Sequence, residues 1–211
     1  MGNGTYYSAD NVAYQVDWLA CIRSAAGVDV DFLGLWNEKP QPGPDYVLAL
    51  RDAMDAAGFT ATSLIVMDGG YDADEVATAA ANASYRAAVH GAGLHYPCDK
   101  PAPAVRDLGW TFWASEDYSR DPAWDNGGTY WGKALSQNYV LMNMTSTIAW
   151  SLIWSAYTNF VCNGAGLMRA HEPWSGNYEA SAPIWLSAHW TQVGCGRGGG
   201  KATCGARIPT D

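Results

Sequence analysis

The feature that most constrains the fold is an alternation of apolar runs with helical patterns along the chain. Five runs have the length of a strand and are apolar nearly throughout, which is typical of strands covered on both faces of a parallel sheet. These runs are residues 28–36, 60–67, 91–96, 108–114 and 146–154. The alternation predicts repeated βα units and therefore an α/β fold.

Helical patterns separate the predicted strands. They cover residues 11–25, 45–57, 72–89, 131–144 and 183–192. Asp45 and Asp72 suit helix N-caps, Gly58 suits a position just past a helix end, and Pro183 suits a first helical turn.

A helix followed by five strands fits part of a (β/α)8 TIM barrel better than a whole one, which has eight strands and about 250 residues. An open doubly wound sheet is the alternative. The turn after the first predicted strand lacks the Gly-x-Gly-x-x-Gly pattern of nucleotide-binding versions of that sheet.

Two glutamates stand where predicted strands end. Glu38 follows the first strand, and Glu116 follows the fourth. Because barrels carry catalytic residues at the carboxyl ends of their strands, these side chains are expected to converge over one opening. A retaining glycosidase needs such a pair, with carboxyl groups about 5 to 5.5 Å apart. We therefore predict Glu38 as the acid/base, kept protonated by apolar neighbours such as Trp36, and Glu116 as the ionised nucleophile.

Three further residues are predicted to bind substrate or support the catalytic pair. Asn37 is placed to hydrogen-bond the sugar 2-hydroxyl, and Tyr96 to donate a hydrogen bond to Glu116. Trp174 offers a flat apolar face to the sugar ring. Taken alone, aromatics such as Tyr96 and Trp174 are more often core or rim residues than ligand contacts, and an Asn-Glu pair after one strand is common in noncatalytic proteins.

Several other functions lack a sequence signal. The net charge of -9 disfavours nucleic acid and anionic lipid, and no apolar run reaches the roughly 20 residues of a transmembrane helix. The four histidines and five cysteines show no familiar zinc or redox spacing, so we predict no metal and no cofactor. The cysteines are expected to be buried thiols or one or two disulfides. The Gly-x-Ser-x-Gly pattern of serine hydrolases is absent.

The two ends of the sequence differ in character from the rest. In residues 193–211, glycine and positively charged residues replace the aromatic-rich sequence that precedes them. We therefore predict a catalytic segment over residues 1–192, followed by an unpacked tail. Our hypothesis is that this tail is a gene-model artefact. Residues 1–10 lack the apolar core of a secretion signal, so any such signal is expected outside this sequence. Three Asn-x-Ser/Thr triplets, beginning at Asn3, Asn82 and Asn143, would permit glycosylation.

Seven stretches, spread in order between about residues 6 and 192, resemble glycoside hydrolase family 59, the galactosylceramidase family. They are residues 31–38 (DFLGLWNE), 94–97 (LHYP), 114–119 (ASEDYS), 137–139 (QNY), 144–150 (MTSTIAW), 166–168 (GLM) and 172–176 (EPWSG). The resemblance implies that Glu38 follows barrel strand four and Glu116 follows strand seven, so the five strands are four to eight.

The resemblance also implies a function. It points to hydrolysis of the β-galactosyl bond of galactosylceramide and related galactolipids, in the lysosome or after secretion, with a saposin-type protein presenting the lipid. Strands one to three and two further domains of the family are missing, so the isolated chain is expected to be poorly soluble or inactive. Two alternatives remain: a related retaining enzyme for another β-linked sugar, and a noncatalytic sugar-binding fragment.

Overall fold

The computed structural model describes residues 6–97, 103–119, 127–155, 166–193, 195–196 and 203–204. The helices are α1 (Ala9–Ala26), α2 (Pro44–Ala56), α3 (Ala73–Ala81), α4 (Ala83–Ala88), α5 (Pro103–Asp107), α6 (Gly127–Ser136) and α7 (Ala182–Val193), with a π-helix at Gln137–Leu141 and a 3-10 helix at Pro173–Ser175. The strands are β1 (Phe32–Gly34), β2 (Ser63–Gly69), β3 (Val89–His95), β4 (Thr111–Asp117), β5 (Ser146–Ala149), β6 (Ile153–Ser155), β7 (Met168–Glu172), β8 (Asn177–Ala180), β9 (Cys195–Gly196) and β10 (Thr203–Cys204).

The main sheet contains the five predicted strands. They are hydrogen-bonded in the order β1-β2-β3-β4-β5, the order in which they occur along the chain. The pairs β1–β2 and β2–β3 are parallel, with Leu33 opposite Leu64 and Ile65 opposite Gly91. Helices connect the first four strands, as βα units require. The α/β prediction is therefore confirmed, and the carboxyl ends of neighbouring strands share one edge of the sheet.

The chain divides into two compact units. The first contains Met1–Ser115 and Met142–Ser146, and the second contains Glu116–Leu141 and Thr147–Asp211. The first unit has a continuous apolar core between the sheet and its helices. Helix α2 contributes Val47, Leu50 and Met54, which are fully buried and recur at the spacing of one helix face.

Helix ends in the first unit explain two departures from the predicted helices. The pattern over residues 72–89 forms two helices, because Asn82 takes an extended conformation and its side chain accepts a hydrogen bond from the Tyr85 N–H. Such a cap starts a new helix rather than continuing the old one. Asp72 caps α3 as predicted, whereas α2 begins one residue before Asp45, with Gly43 at its N-cap.

The second unit departs more from the sequence pattern. The predicted strand over residues 146–154 splits into β5 and β6, and β6 pairs with β7 in a separate sheet of order β6-β7-β8. Helices α6 and α7 pack closely, with Trp131 Nε1–H donating to Ser187 Oγ at 2.8 Å. A Cβ on Gly128 would lie 3.0 Å from the Cβ of Ala182. This glycine therefore sets how near the two helices approach.

The predicted tail and cysteines have partial counterparts in the structure. Strands β9 and β10 form an antiparallel pair within the segment predicted as tail, while most of residues 194–211 lies outside the described chain. Cys21 on α1 is an exposed free thiol, contrary to the expected burial. None of the described helices combines the length and apolar character needed to cross a bilayer.

Two glycines in β3 permit a close approach of β4. A Cβ on Gly91 would lie 2.7 Å from the Thr111 carbonyl oxygen, and one on Gly93 would lie 2.5 Å from Ser115 Oγ. Neither space would accept a methyl group unless the strands moved apart. The spacing between β3 and β4 therefore depends on these two residues.

We predict that Gly91→Ala lowers the free energy of unfolding by about 1–3 kcal/mol, because the added methyl group would meet the Thr111 backbone as well as the Thr111 hydroxyl. Gly70→Ala is the control, since a Cβ there has no heavy atom within 4 Å, and it should change stability by less than about 0.5 kcal/mol. Chemical denaturation measures both values. Equal stabilities of the two variants would contradict the close approach.

Candidate functional site

A cleft opens in the first unit at the carboxyl ends of β1, β2 and β3. Its volume is about 610 Å³, and charged or aromatic residues form most of its lining. The lining residues include Glu38, Gln41, Asp72, His95 and Tyr96. The predicted acid/base and the predicted supporting tyrosine are thus neighbours in one cleft.

Glu38 lies just beyond β1 and is held by the neighbouring strand. Its N–H donates to the Asp68 carbonyl oxygen at 2.8 Å, and its φ of 54° turns the chain away from the sheet. Gly69 fits against this turn, since a Cβ there would lie 3.3 Å from the Glu38 Cα. The Glu38 side chain is 57% exposed and extends into the cleft.

His95 bridges two carboxyl groups at this edge. Its Nδ1 lies 3.0 Å from Glu38 Oε1, and its Nε2 lies 3.1 Å from Asp68 Oδ1. The imidazole is only 5% exposed, whereas Glu38 is open to solvent. His95 is the last residue of β3 and Asp68 is the last but one of β2, so three adjacent strand ends supply the cluster.

The environment of Asp68 favours its ionised form. The hydrogen bond with His95 has the largest effect and lowers the pKa of the carboxyl, while partial burial acts in the opposite direction. The charge of His95 and the Ser115 hydroxyl lower this pKa further.

The backbone is strained at all three strand ends. Glu38, Met67 and Tyr96 have φ values of 54°, 58° and 50°, a region that residues other than glycine rarely adopt. The Met67 N–H donates to Gln41 Oε1 at 2.9 Å, which satisfies a donor that the irregular pairing of β2 and β3 would leave free. Strained backbone of this kind is common where side chains are held for function.

Two tyrosines before α1 fix the loop that carries Glu38. The Tyr6 ring stacks on Trp36 with centroids 3.7 Å apart, and its hydroxyl donates to the Leu35 carbonyl at 2.9 Å. The Tyr7 hydroxyl donates to the Pro40 carbonyl at 2.6 Å.

Trp36 was predicted as an apolar neighbour of Glu38. Its ring instead packs on Tyr6, and the carboxyl group of Glu38 contacts the polar His95.

Glu116 belongs to the second unit and lies inside β4 rather than after it, because the strand runs to Asp117. Asp117 is 2% exposed; its Oδ2 accepts from Asn138 Nδ2 at 2.8 Å, and its Oδ1 accepts from the Tyr118 N–H at 2.9 Å. Asn138 is buried in the π-helix. Glu116 therefore has a neighbour that is anchored on both carboxyl oxygens.

The remaining predicted residues have different settings. Asn37 is exposed in the loop before Glu38, whereas Trp174 is in the second unit, 76% exposed in the 3-10 helix. Their predicted contacts with a sugar stay predictions. Asp68 and His95 were not predicted as site residues, although both stand at strand ends, the signal that identified the glutamates.

Glu75 in α3 is a second perturbed carboxyl group near the cleft. It is 6% exposed, and its Oε1 has no hydrogen-bond partner within the described ranges. Burial is the main cause that raises its pKa to about 7, and the charge of Asp72 adds to the shift. The same helix end thus holds one capping carboxylate and one buried acid.

Sequence comparisons place this chain among glycosidases. The family described as Glycosyl hydrolase family 59 matches residues 1–192. A galactocerebrosidase of Danio rerio is 40% identical over 197 residues, and one of Homo sapiens is 36% identical over 179. These alignments cover 91% and 85% of this chain but only 29% and 26% of the relatives. The chain therefore spans between a quarter and a third of their length.

Solved structures of low sequence identity share the fold. An endo-β1,6-glucanase matches with a TM-score of 0.67 at 17% identity, covering 88% of this chain and 47% of its own. The family 30 subfamily 8 xylanase Xyn30A from Clostridium acetobutylicum matches with a TM-score of 0.65 at 17% identity, covering 92% and 48%. Both are (β/α)8 glycosidases, which confirms the predicted fold class.

We predict that Glu75 makes stability depend on pH. Its pKa is raised in the folded protein, so the folded state holds this proton more tightly than the unfolded state. Relative to Glu75→Gln, the native chain should lose stability as pH rises from about 4.5 to about 7. Denaturation across this range measures the difference, with exposed Asp74→Asn as the control. A difference that does not change with pH would contradict the burial of an acid here.

Proposed function

The chain belongs to glycosyl hydrolase family 59, and from this premise we propose that it forms the catalytic part of a retaining β-galactosidase. The proposed bond is the β-galactosyl linkage of galactosylceramide and related galactolipids, since the relatives are named galactocerebrosidases. The chain spans less than a third of those proteins, so their activity comes to this chain as a proposal. A lysosomal or secreted location and a saposin-type lipid-presenting partner form part of it.

Double displacement assigns a role to each glutamate. Glu38 gives its proton to the glycosidic oxygen while the Glu116 carboxylate attacks the anomeric carbon, so the leaving group departs as an alcohol and a galactosyl ester forms on Glu116. Glu38, now a carboxylate, takes a proton from water as the water oxygen attacks the same carbon. Glu116 is released as a carboxylate, and the galactose keeps its β configuration.

The observation that carries this proposal is the setting of Glu38. A carboxyl group at a strand end is exposed in a cleft large enough for a sugar, and a buried histidine holds it by one oxygen. The other oxygen is thereby available to a ligand.

Two of Glu38's neighbours have proposed roles. Asn37 precedes Glu38 in the sequence, and we propose that it contacts the sugar 2-hydroxyl. Tyr96 lines the same cleft, and we propose that it contacts Glu116. Trp174 would stack on the sugar ring.

A mechanism-based 2-fluoro-galactoside tests the nucleophile. Fluorine at this position slows hydrolysis of the glycosyl-enzyme, so we expect one covalent adduct on Glu116 and none in Glu116→Gln. Peptide mass spectrometry locates the adduct, with Glu172→Gln as a matched control that should still react. A folded chain that forms no adduct would favour the noncatalytic alternative, and faster reaction with the fluoro-glucoside would favour a different sugar.

Substitution of Glu38 tests the acid. Glu38→Gln should slow cleavage of an alkyl β-galactoside by roughly 10²–10⁴-fold, because a poor leaving group needs a proton. Formation of the glycosyl-enzyme from a dinitrophenyl β-galactoside should change far less, since that leaving group departs as an anion. Pre-steady-state release of dinitrophenol measures this step. Equal losses on both substrates would argue that Glu38 is structural.

A further inference from the structure

We propose that Asp68 and His95 form a fixed hydrogen-bond donor to Glu38, in which the imidazole carries a proton on both nitrogens. In this arrangement Asp68 and His95 are positioning residues, and Glu38 Oε2 is the atom that exchanges the catalytic proton. The proposal rests on the acid/base role proposed for Glu38 and specifies how that role is arranged.

The position of the imidazole limits the possible proton arrangements. Both ring nitrogens lie at hydrogen-bond distance from carboxyl oxygens, 3.0 Å on the Glu38 side and 3.1 Å on the Asp68 side. A neutral imidazole has one N–H, so it can donate to only one of them, and the other contact would need a proton on the carboxyl group. At 5% exposure the ring has little access to water as a substitute partner.

Asp68 is the less suitable carrier of that extra proton. Its pKa is lowered, and the hydrogen bond with His95 is the main cause. An ionised Asp68 accepts hydrogen bonds only, so the His95 Nε2 must bear a proton. Two arrangements then remain, which differ in whether His95 Nδ1–H donates to Glu38 or a Glu38 O–H donates to Nδ1.

The needs of acid catalysis distinguish the two. If Glu38 donated to Nδ1, its proton would sit on Oε1 and point toward the buried ring, away from the cleft. A general acid must hold its proton on the oxygen that faces the leaving group. With Nδ1–H donating to Oε1, the proton is left on Oε2. The doubly protonated ring therefore suits the reaction, and Asp68 supplies the balancing negative charge.

The same contact helps during proton transfer. Asp68 and His95 together are neutral, so they do not strip the proton from Glu38 as an unpaired cation would tend to do. As the Oε2 proton moves to the glycosidic oxygen, negative charge develops on the Glu38 carboxyl group, and the bond from Nδ1–H strengthens. No other proton moves in this step.

The backbone holds the cluster together. The Asp68 carbonyl accepts from the Glu38 N–H, so the residue that orients the histidine also fixes the main chain of the acid. The left-handed conformation of Glu38 and the close packing of Gly69 restrict alternative positions for the loop. The distances between the three side chains are therefore set by the ends of β2 and β3 and by a loop that these contacts hold against them.

Nitrogen-15 NMR of the ring nitrogens in the full chain tests the proposal without turnover. We expect both His95 nitrogens to be protonated in the unaltered chain, and the Nδ1 proton to persist in Glu38→Gln, whose amide oxygen can accept it. Asp68→Asn should remove the double protonation, whereas Asp29→Asn, at a surface ion pair with Arg23, should not. An unprotonated His95 nitrogen in the unaltered chain would overturn the proposal.

Leaving-group dependence gives a second reading. Asp68→Asn should slow formation of the glycosyl-enzyme from an alkyl β-galactoside at least about tenfold more than from a dinitrophenyl one, because only the first needs Glu38 as an acid. Equal slowing would indicate a structural role for Asp68 and count against the proposal. A folded chain with a doubly protonated His95 that forms no adduct on Glu116 would refute the proposed function but not the hydrogen-bond donor proposed here. A chain that forms the adduct on Glu116 but has a singly protonated His95 would refute the proposed donor alone.

Discussion

The backbone hydrogen bond from the Glu38 N–H to the Asp68 carbonyl is the interaction on which the candidate site depends. It continues the contact of β1 with β2 beyond the last paired residue and holds Glu38 in a left-handed conformation. From there the side chain meets His95 at the end of the next strand. Parallel pairing thus places three consecutive strand ends at one edge, and two residues with strained backbone there, Glu38 and Tyr96, line the same cleft.

The sequence was a good guide where one local signal controls the outcome. Apolar runs identified the five strands of the main sheet, and the strand-end rule identified Glu38 in its cleft. The same rule placed Glu116 after the fourth strand, whereas Glu116 lies within β4, because this strand continues through polar residues as far as Asp117. Hydropathy cannot show how far hydrogen bonding extends once the side chains cease to be apolar. The chemical assignments of both glutamates rest on the family resemblance as well as on this rule.

Features that depend on distant partners were not predictable from local pattern. His95 and Asp68 meet only because β2 and β3 pair with an irregular register, which no hydrophobic period reveals. The separate sheet of β6, β7 and β8 requires contacts that adjacent residues do not specify. Asn82 is an intermediate case, because its capping preference was readable, yet the helical pattern on both sides concealed the break.

The π-helix at Gln137–Leu141 has a geometric consequence for the second unit. A π-turn accommodates one residue more than an α-turn, and that surplus residue rotates the following side chains around the axis by about 100°. Asn138 consequently faces inward to Asp117, while Val140 and Leu141 are turned out to solvent. Shortening this turn by one residue would restore ordinary helical pitch and swing the amide away from its carboxylate. The π-helix thus keeps the neutral Asn138 amide hydrogen-bonded to Asp117, the residue that follows Glu116 in β4.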